Sequence, residues 1–304
     1  MTEIWWDVVG VGENSVDHVL RLPALPSLAE ASKIQVRSST HEAGGQVVTA
    51  LCTCTAMGLR ASYIGAFGSD DDGQRVRRTL AARGVDLSDS VVRPVANRSA
   101  VILVDERNGD RVVMGHRDAA LALAPDALPR STLTHARVVH VDGVDEAASL
   151  AAARLAREAG GHVTCDLESI GARTGELLRE LTVPIMAQGL PEALTGESDP
   201  ERALRRLEAP HARLRCVTLG AHGALLLDGD RVYHAAAPKV DVVDTTGAGD
   251  VFRGAFIVAL LRGEAPEAIL RFANAAAALS CTKPGALGGV PTLESVERLL
   301  VGRG

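Results

Sequence analysis

Short runs rich in β-branched residues alternate along this chain with longer stretches of Ala, Leu and Arg. The first kind predicts strands at residues 7–11, 61–65, 137–141, 162–166, 183–186 and 215–219. The second predicts helices at 45–57, 73–83, 146–159, 174–181 and 201–207. Strands alternating with helices in this way form a parallel sheet covered on both faces, so the expected class is α/β, doubly wound, with a mostly parallel sheet flanked by helices.

Two regions break the alternation. One is 33–37, read as an extra strand. The other is 99–104 with 111–114, joined by Asp105-Glu106-Arg107-Asn108-Gly109-Asp110, a turn-rich sequence that predicts a hairpin. Together they suggest a small β-sheet lid, from about 13–40 and 97–117, on a single domain spanning 1–304. Such a lid would lie over the C-terminal edge of the main sheet, where open α/β proteins bind ligands. Val101, Leu103, Val112 and Met114 fall at alternating positions and would supply one apolar face of that sheet.

The chain has 304 residues, 46% of them hydrophobic and 23% charged, which suits one large core rather than a disordered or fibrous chain. A net charge of −6 without basic runs leaves no electrostatic footprint for nucleic acid or an anionic membrane. No eighteen apolar residues run together, and the N-terminus lacks the build of a secretion signal, so a cytoplasmic protein is expected. Cys52, Cys54, Cys165, Cys216 and Cys281 are odd in number and lack paired Cys-Xaa-Xaa-Cys spacing, so they read as reduced core thiols.

The chemistry concentrates in Asp244-Thr245-Thr246-Gly247-Ala248-Gly249-Asp250. Residues 239–243 before it read as a short strand, and Val251, Phe252, Ala255, Phe256, Ala259 and Leu260 after it recur at helical spacing. The glycines then stand at a helix N-terminus, whose free N–H groups and positive dipole end form an anion site. Asp250 at the same place can take a proton from a hydroxyl while the amides hold the charge developing on a phosphoryl group. An ordinary strand-to-helix turn would use the same residues. Gly10-Val11-Gly12 does not extend to a dinucleotide fingerprint, because Ser15 stands where the third glycine belongs, and no Gly-Lys-Ser/Thr occurs. Asn14 and Asp17, just past the first strand, are short polar groups able to grip hydroxyls or to close a turn. Gly44-Gly45 opens the next helix and could bring backbone close to a ligand.

The run 244–250, the Gly44-Gly45 pair with its helix and the following residues 58–73, and the opening Gly12 to Asp17 resemble the ribokinase/PfkB family of sugar kinases, nearly end to end and in order. The resemblance implies ATP with magnesium and transfer of the γ-phosphoryl group to a sugar or nucleoside hydroxyl. It makes Asp250 the base and Gly247, Ala248 and Gly249 the anion hole. It puts Asp17, Gly44, Gly45 and Asp142 at sugar-binding positions, with Thr49 replacing an Asn that often follows the glycine pair. Thr218, Gly220, Gly223 and Asn274 match nucleotide contacts. Asp244 and Thr246, with carbonyls near 284–288, match the place where many members bind a monovalent cation, so K+ is implied as a further cofactor. The family's Asn-Xaa-Xaa-Glu is absent, Ala187 and Leu190 standing at those positions, which leaves Asp166, Glu168 or water to organise magnesium. The motifs are most similar to the ketohexokinase and sulfofructose kinase branch, and lids of this kind imply a homodimer clasped lid to lid. A sugar kinase is the leading expectation, with a nucleoside kinase of the same fold or a non-catalytic nucleotide- or sugar-sensing protein as alternatives.

Overall fold

The computed structural model describes residues 4–26, 33–107, 110–167 and 169–302. The first half runs β1 (Trp6–Val11), β2 (Ser15–Leu22), β3 (Ser38–Gly44), α1 (Gln46–Ala56), β4 (Ala61–Ile64), β5 (Ala66–Gly68), α2 (Asp71–Ala82), β6 (Val85–Asp86), β7 (Val91–Arg93), β8 (Ser99–Asp105) and β9 (Arg111–His116). The second half runs α3 (Arg130–Thr134), β10 (Ala136–Val141), α4 (Glu146–Glu158), β11 (His162–Cys165), α5 (Thr174–Glu180), β12 (Ile185–Ala187), α6 (Leu190–Thr195) and α7 (Pro200–Arg206). It ends in β13 (Leu214–Thr218), β14 (Ala224–Asp228), β15 (Arg231–Ala235), α8 (Ala248–Leu261), α9 (Pro266–Ser280) and α10 (Leu293–Val301).

Five parallel strands form the order β11-β10-β1-β4-β6. The parallel bridges Thr164↔Val183 and Leu167↔Met186 carry the sheet on to β12, beyond which β13, β14 and β15 follow. Within this run of strands, among the described residues, only the β13-β14-β15 pairings are antiparallel. The strands are buried on both faces. Val8 and Val138 point into one apolar cluster with α1, α8 and α9, while Val9, Val11, Val139 and Val141 point into the other with α4. This period of two inside a continuous apolar run is why these strands are readable from sequence. The strand order reverses between β1 and β10, so the crevice beyond their C-terminal ends is where such a sheet takes ligands.

A separate sheet, β3-β2-β8-β9, is the lid. The hairpin of β8 and β9 is as expected, but 33–37 is not a strand. Ile34 and Val36 alternate there and are exposed among the described residues. The polar segment Ser38–Gly44 forms the strand instead, because β2 offers it a free backbone edge from Arg21 to Ser15. Residues 239–243 are likewise no strand. The chain is held at the end of α9, where the Val243 and Asp244 N–H groups donate to Cys281 O at 2.8 and 3.2 Å. The cysteines are free thiols, four of them buried. No helix among the described residues is long and apolar enough to cross a membrane.

Helix α8 is apolar nearly all round and sits inside the molecule, pressed on α1. Small residues permit that approach: a Cβ on Gly254 would stand 2.6 Å from both Ala50 O and Thr53 Cβ. Gly254→Val should therefore force the two helices apart and lower the unfolding free energy by about 2 kcal/mol or more, read by chemical denaturation. Unchanged stability would mean that this contact does not set the position of α8.

Candidate active site

The turn before α8 is built for an anion. Gly247 caps the helix with φ 75°, a conformation that glycine adopts without strain, and a Cβ there would lie 2.7 Å from Ala286 Cβ. Ala248 N–H turns back onto Thr245 O at 3.2 Å and Val251 N–H donates to Gly247 O at 2.9 Å, and the amides of a helix's first turn have no partner further along the helix. Asp250 occupies the third helical position, half-buried, beside the positive end of the dipole. Asp244 ties the turn down from the other side. Its Oδ1 accepts from Thr246 N–H (2.9 Å) and Oγ1 (2.7 Å), and its Oδ2 from Gly285 N–H (3.0 Å). Burial pushes the Asp244 carboxyl up, but these donors and Arg21 outweigh it and hold the carboxyl below its ordinary value.

A cavity of about 700 Å³ opens on this turn. Thr218, Gly220, Gly223 and Asn274 line it, with Thr245, Ala248 and Gly249 also at its wall. All four residues expected on the nucleotide side are thus brought together with the anion hole. Asn274 Nδ2 donates to Ala235 O at 2.7 Å, fastening α9 to the edge of the sheet beside the cavity. Gly223 stands against the backbone of Ala236 and Ala237, so no side chain fits there.

The expected sugar side gathers at the end of β1 and under the lid. Gly44 pairs with Ser15, and a Cβ on it would lie 3.0 Å from Asp17 Oδ2. Gly45, with φ 110°, brings α1 against Glu13 O and Asn14. Asp142 is buried at the end of β10, where its oxygens accept from Glu13 N–H (2.7 Å) and Val144 N–H (2.9 Å). It borders a cavity of about 330 Å³ with Glu13, Gln46 and Glu146. Burial pushes Asp142 up to about 7 and raises Asp17 as well. Asn14 is only 2% exposed, with its amide donating to Tyr63 Oη (3.0 Å) and Ala66 O (2.8 Å) and its Oδ1 accepting from Asn97 (3.0 Å). Thr49 is fully buried. Its methyl lies under Gly247 and its hydroxyl has no protein partner among the described residues. Neither residue is in the lining of the two cavities.

Several site residues escaped the sequence reading. Lid residue Arg21 reaches to 3.7 Å from Asp244, and Glu42, opposite Asp17 in the lid, presses on Gly285. Burial first, and then Asp244, raise the Glu42 carboxyl. Arg98 (2.8 Å) and Arg117 (3.5 Å) both hold Glu13, and Arg117 also holds Asp145 at 2.8 Å. Asp166, expected near magnesium, is instead 1% exposed and paired with Arg253. Glu168 lies outside the described residues.

A nucleotide-sized cavity joined at a helix N-terminus to a lidded polar pocket defines a small-molecule phosphotransferase of ribokinase-like α/β fold. More particularly, the chain belongs to the pfkB family of carbohydrate kinases, whose pattern matches residues 7–293. It is 30% identical over 296 residues to an ATP-dependent ribose-1-phosphate kinase of Halopiger xanaduensis, covering 96% of this chain and 97% of that one. It is 28% identical over 324 residues to fructokinase-1 of Zea mays, with 96% and 97% covered. Arabidopsis thaliana ribokinase, solved with ribose and ATP, superposes with a TM-score of 0.86 at 25% identity, with 98% and 99% of the two chains covered.

The buried Asp142 makes a pH test. Its folded pKa lies above the unfolded value, so the protonated form contributes stability that is complete below the ordinary carboxylate range and is lost as pH rises through about 7. The destabilisation caused by Asp142→Ala should accordingly shrink between pH 5 and pH 8, by on the order of 2 kcal/mol. A pH-independent difference in denaturation would place the carboxyl in an ordinary setting.

Proposed function

We propose that this protein transfers the γ-phosphoryl group of ATP to a hydroxyl of a sugar, with Asp250 as general base and the Gly247 to Gly249 backbone as anion hole. One observation carries the reading. The single turn 244–249 borders the nucleotide-sized cavity through Thr245, Ala248 and Gly249, and meets the lid through Asp244 and Arg21. A phosphoryl group passing between the two sites would cross that turn. Asp17, Gly44, Gly45 and Asp142 would orient the sugar, while Asn14 and Thr49 support them from behind. The amides and the base need no covalent intermediate, since phosphoryl transfer depends on positioning and on stabilising charge.

Magnesium would arrive with the nucleotide and neutralise its β- and γ-phosphate oxygens. Among the described residues no three His, Cys, Asp or Glu side chains converge as a metal cage. A small hard cation bound mainly by phosphate and water suits such a site. A monovalent cation beside Asp244 and Thr246 belongs to the same reading, although Asp244 already accepts three hydrogen bonds. ATP consumption against ketoses, aldoses, sugar 1-phosphates and nucleosides tests the proposal. Turnover with nucleosides alone would support the nucleoside-kinase alternative, and binding without turnover the sensing one. Asp250→Asn, nearly isosteric, should keep sugar and ATP binding while kcat falls by about 10² to 10⁴. Near-parental turnover would remove Asp250 from the role of base.

We further propose a homodimer clasped through the lid. Register puts His18, Val101 and Met114 in one row and Leu20, Leu103 and Val112 in the next, all on one face of the sheet. At its far end Val112 (44%) and Met114 (51%) are exposed, and an uncovered apolar sheet face favours association. Light scattering at micromolar concentration should give twice the chain mass, and Val112→Glu should halve it. A monomer in the parent protein rejects the clasp.

A further inference from the structure

Beyond its first turn, helix α8 buries one charge among apolar residues. Arg253 is 3% exposed, and its Nη2 lies 2.8 Å from Oδ1 of Asp166, which follows β11. Its Nε has no hydrogen-bond partner among the described residues. Around the pair stand the buried thiols Cys165 and Cys216 and the imidazole of His140. Burial, with Arg253 adding to it, pushes His140 down to about 3, so the ring is neutral and shares none of the charge. Its Nδ1 is engaged with Thr164 Oγ1 at 2.8 Å. Taking an ion pair out of water costs more than apolar packing of the same volume, so stability alone is a poor reason for this one.

Its position offers a better reason. Arg253 is three residues beyond Asp250 and shares its side of the helix. Its Nη1 would stand only 2.8 Å from a Cβ placed on Gly249, so the guanidinium lies directly against the backbone of the anion hole's second glycine. A fixed cation in a dry interior acts on nearby charge far more strongly than one in water. We infer that Arg253, held in place by Asp166, is a positioning residue for phosphoryl transfer: it stiffens the Gly249 turn and adds positive potential behind the amides that meet the transferred group. It lines neither of the two cavities. This inference rests on the kinase reading, and one of its readouts does not need turnover.

Removing Arg253 alone would strand the Asp166 carboxylate, so the informative variant neutralises both, Arg253→Met with Asp166→Asn. Its partner in the test is Arg253→Lys, which keeps the charge. For the neutral pair we expect kcat to fall by about 10- to 100-fold with both KM values within about threefold of the parent, and for the lysine variant a kcat within about tenfold. A purely structural pair would give the neutral variant parental kcat once folded, and that result overturns the inference. The second readout is calorimetric binding of ADP with aluminium fluoride, a planar stand-in for the transferred group. It should weaken about tenfold or more in the neutral pair and little in the lysine variant, with ADP alone binding all three proteins alike. Equal binding of the stand-in to parent and neutral pair overturns the inference even if no sugar acceptor has been found; a parent chain that binds it but phosphorylates nothing overturns only the kinase reading. Should the neutral pair fail to fold, Arg253→Gln with Asp166→Asn takes its place and is compared with Arg253→Lys. Weaker binding of the stand-in by that pair alone, at normal ADP affinity, supports a role for the charge, and equal binding by the two overturns it.

Discussion

The backbone at Gly247 has to turn through a positive φ of 75° with Ala286 pressed against it, and the start of α8 can lie nowhere else while that holds. The helix behind it is clamped by close contact with α1 at Gly254 and by burial of almost every side chain along its first three turns. An anion-binding terminus is useful only if its amides do not reorganise when charge develops, and a helix packed this tightly inside a core cannot shift to follow a ligand. The apolar character of α8 is therefore part of the site, since it fixes where the dipole and the glycine amides point.

The lid is wired to the same turn by charge. Arg21 approaches Asp244 in the strap before α8, Glu42 leans on Gly285 in the loop that Asp244 holds, and the Arg98–Glu13–Arg117–Asp145 chain joins the roots of β8 and β9 to the ends of β1 and β10. Each contact is modest at a partly exposed position. Their arrangement still means that a rotation of the lid would be felt at the residues that tie down Gly247, so a ligand held under the lid would be coupled to the order of the 244–250 turn.

Much of this was legible in the sequence for one physical reason: strands buried on both faces need continuous apolar runs, and 7–11, 137–141 and 215–219 have them. The lid strand Ser38–Gly44 was not legible, because its polar residues are ordered by backbone pairing with β2 and carry no apolar signal of their own. The hairpin of β14 and β15 was readable and missed, as Asp228-Gly229-Asp230 between two apolar runs is a turn signature and Gly229 does take a positive φ of 58°. In the site, the residues of the 244–250 turn could be found from spacing because they are local. Arg21, Glu42 and Arg98 could not, since each matters through a partner far away in sequence. Arg253 lies between: one arginine in a helix that is apolar from Val251 on is an anomaly that sequence shows, even though its partner Asp166 does not appear until the chain folds.

Asp17, Glu42 and Asp142 all have carboxyls raised above their ordinary values, and in each the leading cause is burial. Asp142 already accepts from two backbone N–H groups and Asp17 from the Ser15 hydroxyl, and a further donor would favour their ionised forms. Sugar hydroxyls are donors, and they carry no charge of their own to desolvate. A ligand that donates hydrogen bonds would act on these carboxyls in one direction. By hydrogen-bonding the ionised carboxylates, the ligand draws their pKa values down again, so occupancy and proton release at these positions are linked in the direction that stabilises the closed, charged pocket as pH rises.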